Sequence, residues 1–245
     1  MKLLIDADFI VYKCCAAAES EIDFGDDVIV VTSTFSEAYA CVKRELKRIS
    51  NKFGSFDDLI LFFSDSCNFR KDIQVDYKGH RNRKKPCGYR RVIQKLKTEF
   101  KVIRIPWLEA DDAMGIYATK NPGNIIVSPD KDMKQIPGML YNFDETFTIT
   151  KEEGAKWHLI QAMAGDNTDG YAGVPGIGIK KATALFEEHG YSWKTVVKAF
   201  KEKDLSEEVA LMNARLAKIL TTEDYDHENR EPILWDPSAD YCVNT

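Results

Sequence analysis

The 245-residue sequence contains no apolar run near the ~20 residues that a membrane-spanning helix needs, which excludes a membrane-embedded reading. Its start, MKLLIDADFIVY, breaks the apolar stretch with Asp6 and Asp8 and has no longer Lys/Arg run before it. No secretory signal is therefore expected, and a cytoplasmic site of action is. No C-x-x-C pair occurs among Cys14, Cys15, Cys41, Cys67, Cys87 and Cys242, and no histidine stands at zinc-ligand spacing from one. That argues against structural zinc and for reduced cysteines acting as small core residues. No low-complexity linker and no internal repeat divides the chain. An overall excess of positive charge is missing too: the net charge is −5.

The distribution of that charge reverses what the total suggests. Between Arg70 and Arg104 thirteen basic residues face only Asp72, Asp76 and Glu99, so this stretch carries +10 and the rest of the chain −15. A basic strip on an acidic body suits a polyanion held against a carboxylate site loaded with cations. The 44% apolar content suffices for one sizeable core with a smaller appended module.

Apolar runs at 2–6, 28–32, 59–64, 101–106 and 124–129 predict buried strands, and helical patterns fall at 34–52, 88–100 and 109–120. Strands alternating with helices predict an α/β fold with a mostly parallel central sheet. Segment 68–87 is basic and aperiodic, so a loop or short helix over one sheet edge is expected, mobile until a phosphate chain arrives. From about 156 onward the pattern becomes helical.

Asp6 closes the first strand, Asp65 follows LILFFS, Glu109, Asp111 and Asp112 follow KVIRIPWL, and Asp130 and Asp132 follow NIIVSP. Parallel strands end at one edge, where ligands bind. So many carboxylates oppose one another's ionisation, and divalent cations resolve the conflict. Oxygen ligands suit Mg²⁺ or Mn²⁺. Singly, each has a plainer role: Asp6 could cap a turn, and Glu109 and Asp111 suit the first turn of a helix. Asp8 could orient a ligand or a water.

In GDNTDGYAGVPGIGIKKATAL (165–185), Asp166 and Asp169 are spaced to share a face of a turn. GVPGIG before Lys180 and Lys181 reads as a helix–turn–helix hairpin whose glycines, Gly176 and Gly178 among them, let backbone N–H groups approach a phosphate. Two other functions remain open on residues alone: a non-catalytic module binding DNA junctions, and a phosphatase using Asp6-x-Asp8 as nucleophile and acid.

The ordered set LIDAD, FFSDS, NFRKD…YKGHR, LEADD, SPDKD and GDNTDGYAGVPGIG resembles the 5′ nuclease family: flap endonucleases, the 5′ nuclease domain of bacterial repair polymerases and, most of all, short phage 5′–3′ exonucleases. The resemblance implies a PIN-like catalytic domain over 1–155, with 68–87 as a short arch, and a helical DNA-binding region over 156–245. It implies a first metal site of Asp6, Asp65, Glu109 and Asp111 with Asp112 beside it, and a second of Asp130, Asp132, Asp166 and Asp169, partly through water. Lys78 and Arg81 would reach the scissile phosphate, and Tyr77 would stack on an unpaired base. Arg70, Lys71, Lys84 and Lys85 would join Gly176, Gly178, Lys180 and Lys181 in holding DNA, with K⁺ on hairpin carbonyls. The implied cofactors are two Mg²⁺, with Mn²⁺ able to substitute. The implied partners are DNA with 5′ ends, flaps or junctions, RNA–DNA hybrids and a replication polymerase. The chain enters a helix soon after YKGHRNRKKP, so side entry of a 5′ end is expected in place of threading under a closed arch.

Overall fold

A computed structural model of the chain describes residues 1–81 and 84–238. Arg83 of the basic strip, Cys242 and the rest of the last seven residues lie outside them. The first strand, β1 (Lys2–Asp6), is buried on both faces: Leu3 and Ile5 enter one core, and Leu4 enters another. Such strands read as continuous apolar runs because helices cover both sides of the sheet. From β1 the chain runs into α1 (Ala7–Ala17), then a hairpin of β2 (Glu19–Asp23) and β3 (Ile29–Ser33), then α2 (Phe35–Phe53) and β4 (Asp58–Phe62). A short helix α3 (Arg70–Ile73) and α4 (Tyr89–Leu96) precede β5 (Lys101–Ile103), α5 (Ala110–Lys120), β6 (Ile125–Val127), β7 (Gly138–Tyr141) and β8 (Thr146–Ile149).

The main sheet has the order β5-β4-β1-β6-β7-β8, with only β8 antiparallel to its neighbour. In register, Leu3 lies between Leu59 and Ile125, and Leu4 between Ile60 and Ile126. The alternation sends Ile5, Leu61 and Val127 toward α1, α2 and α4, and Ile60, Phe62 and Ile126 toward α5. The parallel α/β fold is as expected. One strand is not where the pattern puts it. Residues 28–32 belong to the separate β2–β3 hairpin, where Phe24, Val28, Ile29, Val30 and Val31 are exposed. A short apolar run signals β structure but not which sheet receives it.

The helical part comprises α6 (Lys151–Ala164), α7 (Ile179–His189), α8 (Trp193–Lys201) and α9 (Glu207–Ala217), packed around Met163, Val174, Phe186, Val196 and Phe200. The expected boundary at 155 falls inside α6, which also packs against the 3-10 turn Lys131–Gln135 of the α/β part. After α9 the chain returns to the sheet side: Ile219 joins the α5 core, and Leu220 packs with Leu108 and Ile116. No helix among the described residues is long and apolar enough to cross a membrane.

Candidate active site

Each carboxylate is set by the element it ends or begins. Asp6 is both the last residue of β1 and the N-cap of α1: its Oδ1 accepts the Phe9 N–H at 3.2 Å, and its Oδ2 accepts the Ser128 hydroxyl at 2.9 Å. Glu109 caps α5 in a reciprocal box with Asp112, which puts Asp111 in the first turn. Asp130 caps the 3-10 turn, accepting the Asp132 N–H at 2.9 Å. Asp166 and Asp169 come from the turn after α6, where the Asp166 carboxylate bonds Lys131 at 2.8 Å.

These groups gather at the C-terminal edge of the sheet, and their electrostatics record it. Burial, then the charges of Asp130, Asp6 and Glu109, hold the Asp111 carboxyl well above the usual range. Burial, with Asp8 and Asp130 nearby, lifts Asp6 to about 6. Burial and Asp130 lift Asp132 to about 7, and burial with Asp169 nearby raises Asp130. Glu109 goes the other way: burial opposes its charge, but Lys78 and Arg70 hold it down at about 2. Burial also opposes the charge of Asp166, yet Lys131 keeps its carboxyl low. The edge thus has a compensated flank and an uncompensated centre.

The basic segment is laid over this edge. Lys78 donates to Glu109 Oε1 at 2.5 Å and lies 3.4 Å from Asp169 Oδ2. Arg81 pairs with Asp169 through Nη2 and donates from Nε to the Thr168 carbonyl at 3.0 Å. The Lys78 N–H donates to the Asp169 carbonyl at 2.8 Å, and Gln74 donates to the Gly170 carbonyl at 2.7 Å. The segment up to Arg81 is therefore hydrogen-bonded along the 168–170 loop. Sequence periodicity gives no sign of these contacts because they join segments some ninety residues apart.

Three residues are engaged otherwise than their expected roles imply. Arg70 was expected on DNA, but its side chain is 1% exposed. It forms a two-pronged pair with Asp112 at 2.7 and 2.8 Å and donates from Nε to the Leu216 carbonyl at 3.0 Å. Asp112, expected beside the first metal, spends its oxygens on Arg70 and on the N–H groups of Glu109 and Leu220. Tyr77, expected to stack on a base, is buried, and its hydroxyl donor lies 3.2 Å from Glu109 Oε2 and 3.1 Å from Asp169 Oδ2.

Asp65 stands at the same edge and is engaged there, accepting the Trp107 N–H at 3.1 Å and pairing with Arg104 at 3.2 Å. Asp8 is engaged by Tyr89 and the Ser64 N–H at 2.6 and 2.7 Å. It is thus a strut between α1, β4 and α4, not a free acid. Lys71 and Lys84 are exposed; Lys85 lies over the Tyr89 ring at 4.8 Å. The cysteine expectation holds in part: Cys14 and Cys15 are buried, but Cys67 and Cys87 are exposed.

At the hairpin, the α6 C-cap Gly165 and Gly173 touch backbone to backbone: a Cβ on Gly173 would lie 2.3 Å from the Gly165 nitrogen. Only glycine permits that approach, and both have positive φ. Gly176 has φ +77 with open space around it, and Gly178 caps α7. Lys180 is exposed; Lys181, also exposed, donates to the Gly176 carbonyl at 2.9 Å.

Two site residues were missed by sequence reading. Gln161 on α6 donates to Asp132 Oδ1 and accepts from Gln135, tying the helical part to the carboxylates. Ser128 bridges Asp6 and the Asp130 N–H. Ser128 lay inside the SPDKD motif and could have been found; a mid-helix glutamine gives no signal.

Residues 1–157 match the 5′-3′ exonuclease, N-terminal resolvase-like domain family. The chain is 29% identical to an exodeoxyribonuclease of Enterobacteria phage T3, covering 97% of this chain and 93% of that one. It is 28% identical to an exonuclease of Escherichia phage T7, covering 96% and 93%. Among solved structures, the T5 D15 protein co-crystallized with metal ions matches at TM-score 0.68 and 15% identity over 89% of each chain. The catalytic core of Rad2 in complex with DNA substrate matches at 0.58 and 14%, covering 98% of this chain and 84% of that one. These likenesses to solved structures show the fold, and the family match covers more than half of the sequence. The chain belongs to the 5′-3′ exonuclease family.

Proposed function

We propose that this chain hydrolyses DNA phosphodiester bonds at 5′ ends and flaps, leaving a 5′-phosphate and a 3′-hydroxyl, with two divalent cations at the carboxylate edge. The observation that supports it most is the crowding of Asp6, Asp111, Asp130 and Asp132, whose carboxyls are all pushed up by burial and by neighbouring carboxylates. Cations are what such a set lacks electrostatically, and an all-oxygen donor set fits Mg²⁺, with Mn²⁺ able to substitute.

Asp6, Asp65, Glu109 and Asp111 would hold one ion, and Asp130, Asp132, Asp166 and Asp169 the other. Among the described residues no three of these groups close into a ready cage for one ion, so water ligands fit this set better than direct contact alone. When bound, the ions supply an activated water and neutralise the leaving oxygen. Lys78 and Arg81, already beside these carboxylates, donate to the phosphoryl oxygens and neutralise charge there. Tyr77 fixes Glu109 and Asp169 relative to each other. Lys180 and the backbone of the GVPGIG turn grip duplex phosphates, with Lys71 and Lys84 on the flanks. K⁺ at the hairpin would compete with the Lys181 ammonium for the Gly176 carbonyl.

RNA–DNA hybrids as substrates, a polymerase partner and action in the cytoplasm (that of the host if the chain is phage-encoded) complete the proposal. The test is cleavage of a 5′-labelled flap with and without Mg²⁺. Metal-dependent release of labelled product is expected; binding without cleavage would leave only a junction-binding module.

A further inference from the structure

The loop between β5 and α5 holds a feature that the carboxylate chemistry does not use. Trp107 has a left-handed backbone, φ +66, and its side chain is exposed, with 51% of the residue accessible. For a bulky residue without a glycine's freedom this conformation is strained, and such strain persists only where the surroundings impose it.

Here they do. The Trp107 N–H donates to Asp65 Oδ2 at 3.1 Å, and its carbonyl accepts the Phe69 N–H at 3.0 Å. The next carbonyl, on the buried Leu108, accepts the Asp65 N–H at 2.9 Å. The backbone is thus clamped on both sides while the indole is turned out to solvent.

The only other aromatic with positive φ among the described residues makes a useful contrast. Phe143, φ +77, packs its ring on Phe9 and Tyr141 at centroid distances of 5.3 and 5.8 Å. Its strain is offset by ring packing in a partly buried aromatic cluster. The clamp accounts for the Trp107 backbone, but its exposed indole has no such packing explanation.

Its position supplies one. Trp107 stands two residues before Glu109, on the edge where the carboxylates gather. Its carbonyl is held by the residue preceding Arg70, at the root of the basic segment, and exposed Lys71 follows on α3. Asp65, which accepts the Trp107 N–H on Oδ2, pairs with Arg104 through Oδ1. An exposed indole on the loop that joins Arg104 to Glu109, at a phosphodiester-cutting edge, matches the chemistry of an unpaired nucleobase, whose ring stacks on an aromatic face.

We propose that Trp107 is a stacking platform for an unpaired nucleobase of the DNA strand being cut. This rests on the nuclease reading above. It moves the stacking role from the buried Tyr77 to a residue outside the motifs. Every base presents a ring face, so the platform would hold the strand without selecting its sequence.

The test uses the full-length protein and flap DNA carrying 2-aminopurine at the unpaired positions near the junction, in Ca²⁺, with melting temperature measured alongside. Trp107→Gly suits the left-handed backbone, so its melting temperature should equal or exceed that of the wild type. The same variant should bind flap DNA on the order of tenfold more weakly and lose 2-aminopurine quenching. Trp107→Phe should keep most of both. A Trp107→Gly protein that melts lower yet binds and quenches like wild type would overturn the proposal and make Trp107 a structural residue. Unchanged melting and unchanged binding would overturn it equally. If instead the wild type neither binds nor cuts DNA in Mg²⁺, it is the nuclease reading that fails.

Discussion

Lys78 and Lys180 both lie in stretches whose basic character points to DNA, yet the fold treats them in opposite ways. Lys78 is tucked against Glu109 and Asp169, with its side chain 19% exposed. Burial opposes its charge, but these carboxylates win and raise its pKa. Lys180 projects from the start of α7 into solvent. A cation built into a carboxylate cluster is positioned for chemistry; one on a glycine turn is positioned for grip. The contrast extends to the acids. Glu109 is compensated and its pKa low, whereas Asp132, across the same edge, is held up at about 7.

The contrast breaks most severely if an acid of the uncompensated centre is removed. Asp132→Ala should lower turnover by orders of magnitude while flap binding in Ca²⁺ survives, because the proposed grip on DNA lies in the hairpin and flanking lysines. Single-turnover cleavage beside a binding titration checks both halves, and wild-type rates would remove Asp132 from the site.

A smaller effect sharpens the role of the helical part. Gln161 donates to the charged form of Asp132, which favours ionisation. Gln161→Leu should therefore push the Asp132 carboxyl higher and move the acidic limb of the rate profile to higher pH. The loss at neutral pH should be about 10–100-fold, a range typical of residues that orient metal ligands. A uniform loss at all pH values would mean that Gln161 only supports folding.

The smallest effect concerns stability. Asp6 and Asp132 rise from 3.8 to about 6 and about 7 in the folded protein. Between pH 4 and 7 the folded state then binds more protons than the unfolded one, so stability falls as pH rises through this window. Chelator-treated protein should melt lower at pH 8 than at pH 5, and saturating Mg²⁺ should flatten that slope. Glu109 acts outside the window: its contribution is lost as pH falls from 4.5 toward 2. A metal-free melting temperature that rises from pH 5 to 8 would show that the centre is not charge-frustrated.

The sheet and the edge where the acids collect were legible because buried parallel strands are continuous apolar runs with acids at their ends. Asp6, Glu109, Asp111, Asp130 and Asp132 followed from that pattern. The pairing of Arg70 with Asp112 did not, since a basic segment hides which of its members turns inward. Nor did the burial of Tyr77, which depends on the 168–170 loop crossing from another part of the chain. The β2–β3 hairpin shows the same limit: Ile29 and Val30 read as core residues, and only tertiary structure leaves them at the surface.

The division between chemistry and grip is tested most directly by single-turnover cleavage of a flap at saturating enzyme, comparing Lys78→Ala with Lys180→Ala/Lys181→Ala. The first variant should cut at least about a hundredfold more slowly with nearly unchanged affinity. The second should cut at close to the wild-type rate once bound, with weaker binding and a salt dependence flatter by about 0.9 log–log units per lost phosphate contact. The same kinetic defect in both variants would contradict the account.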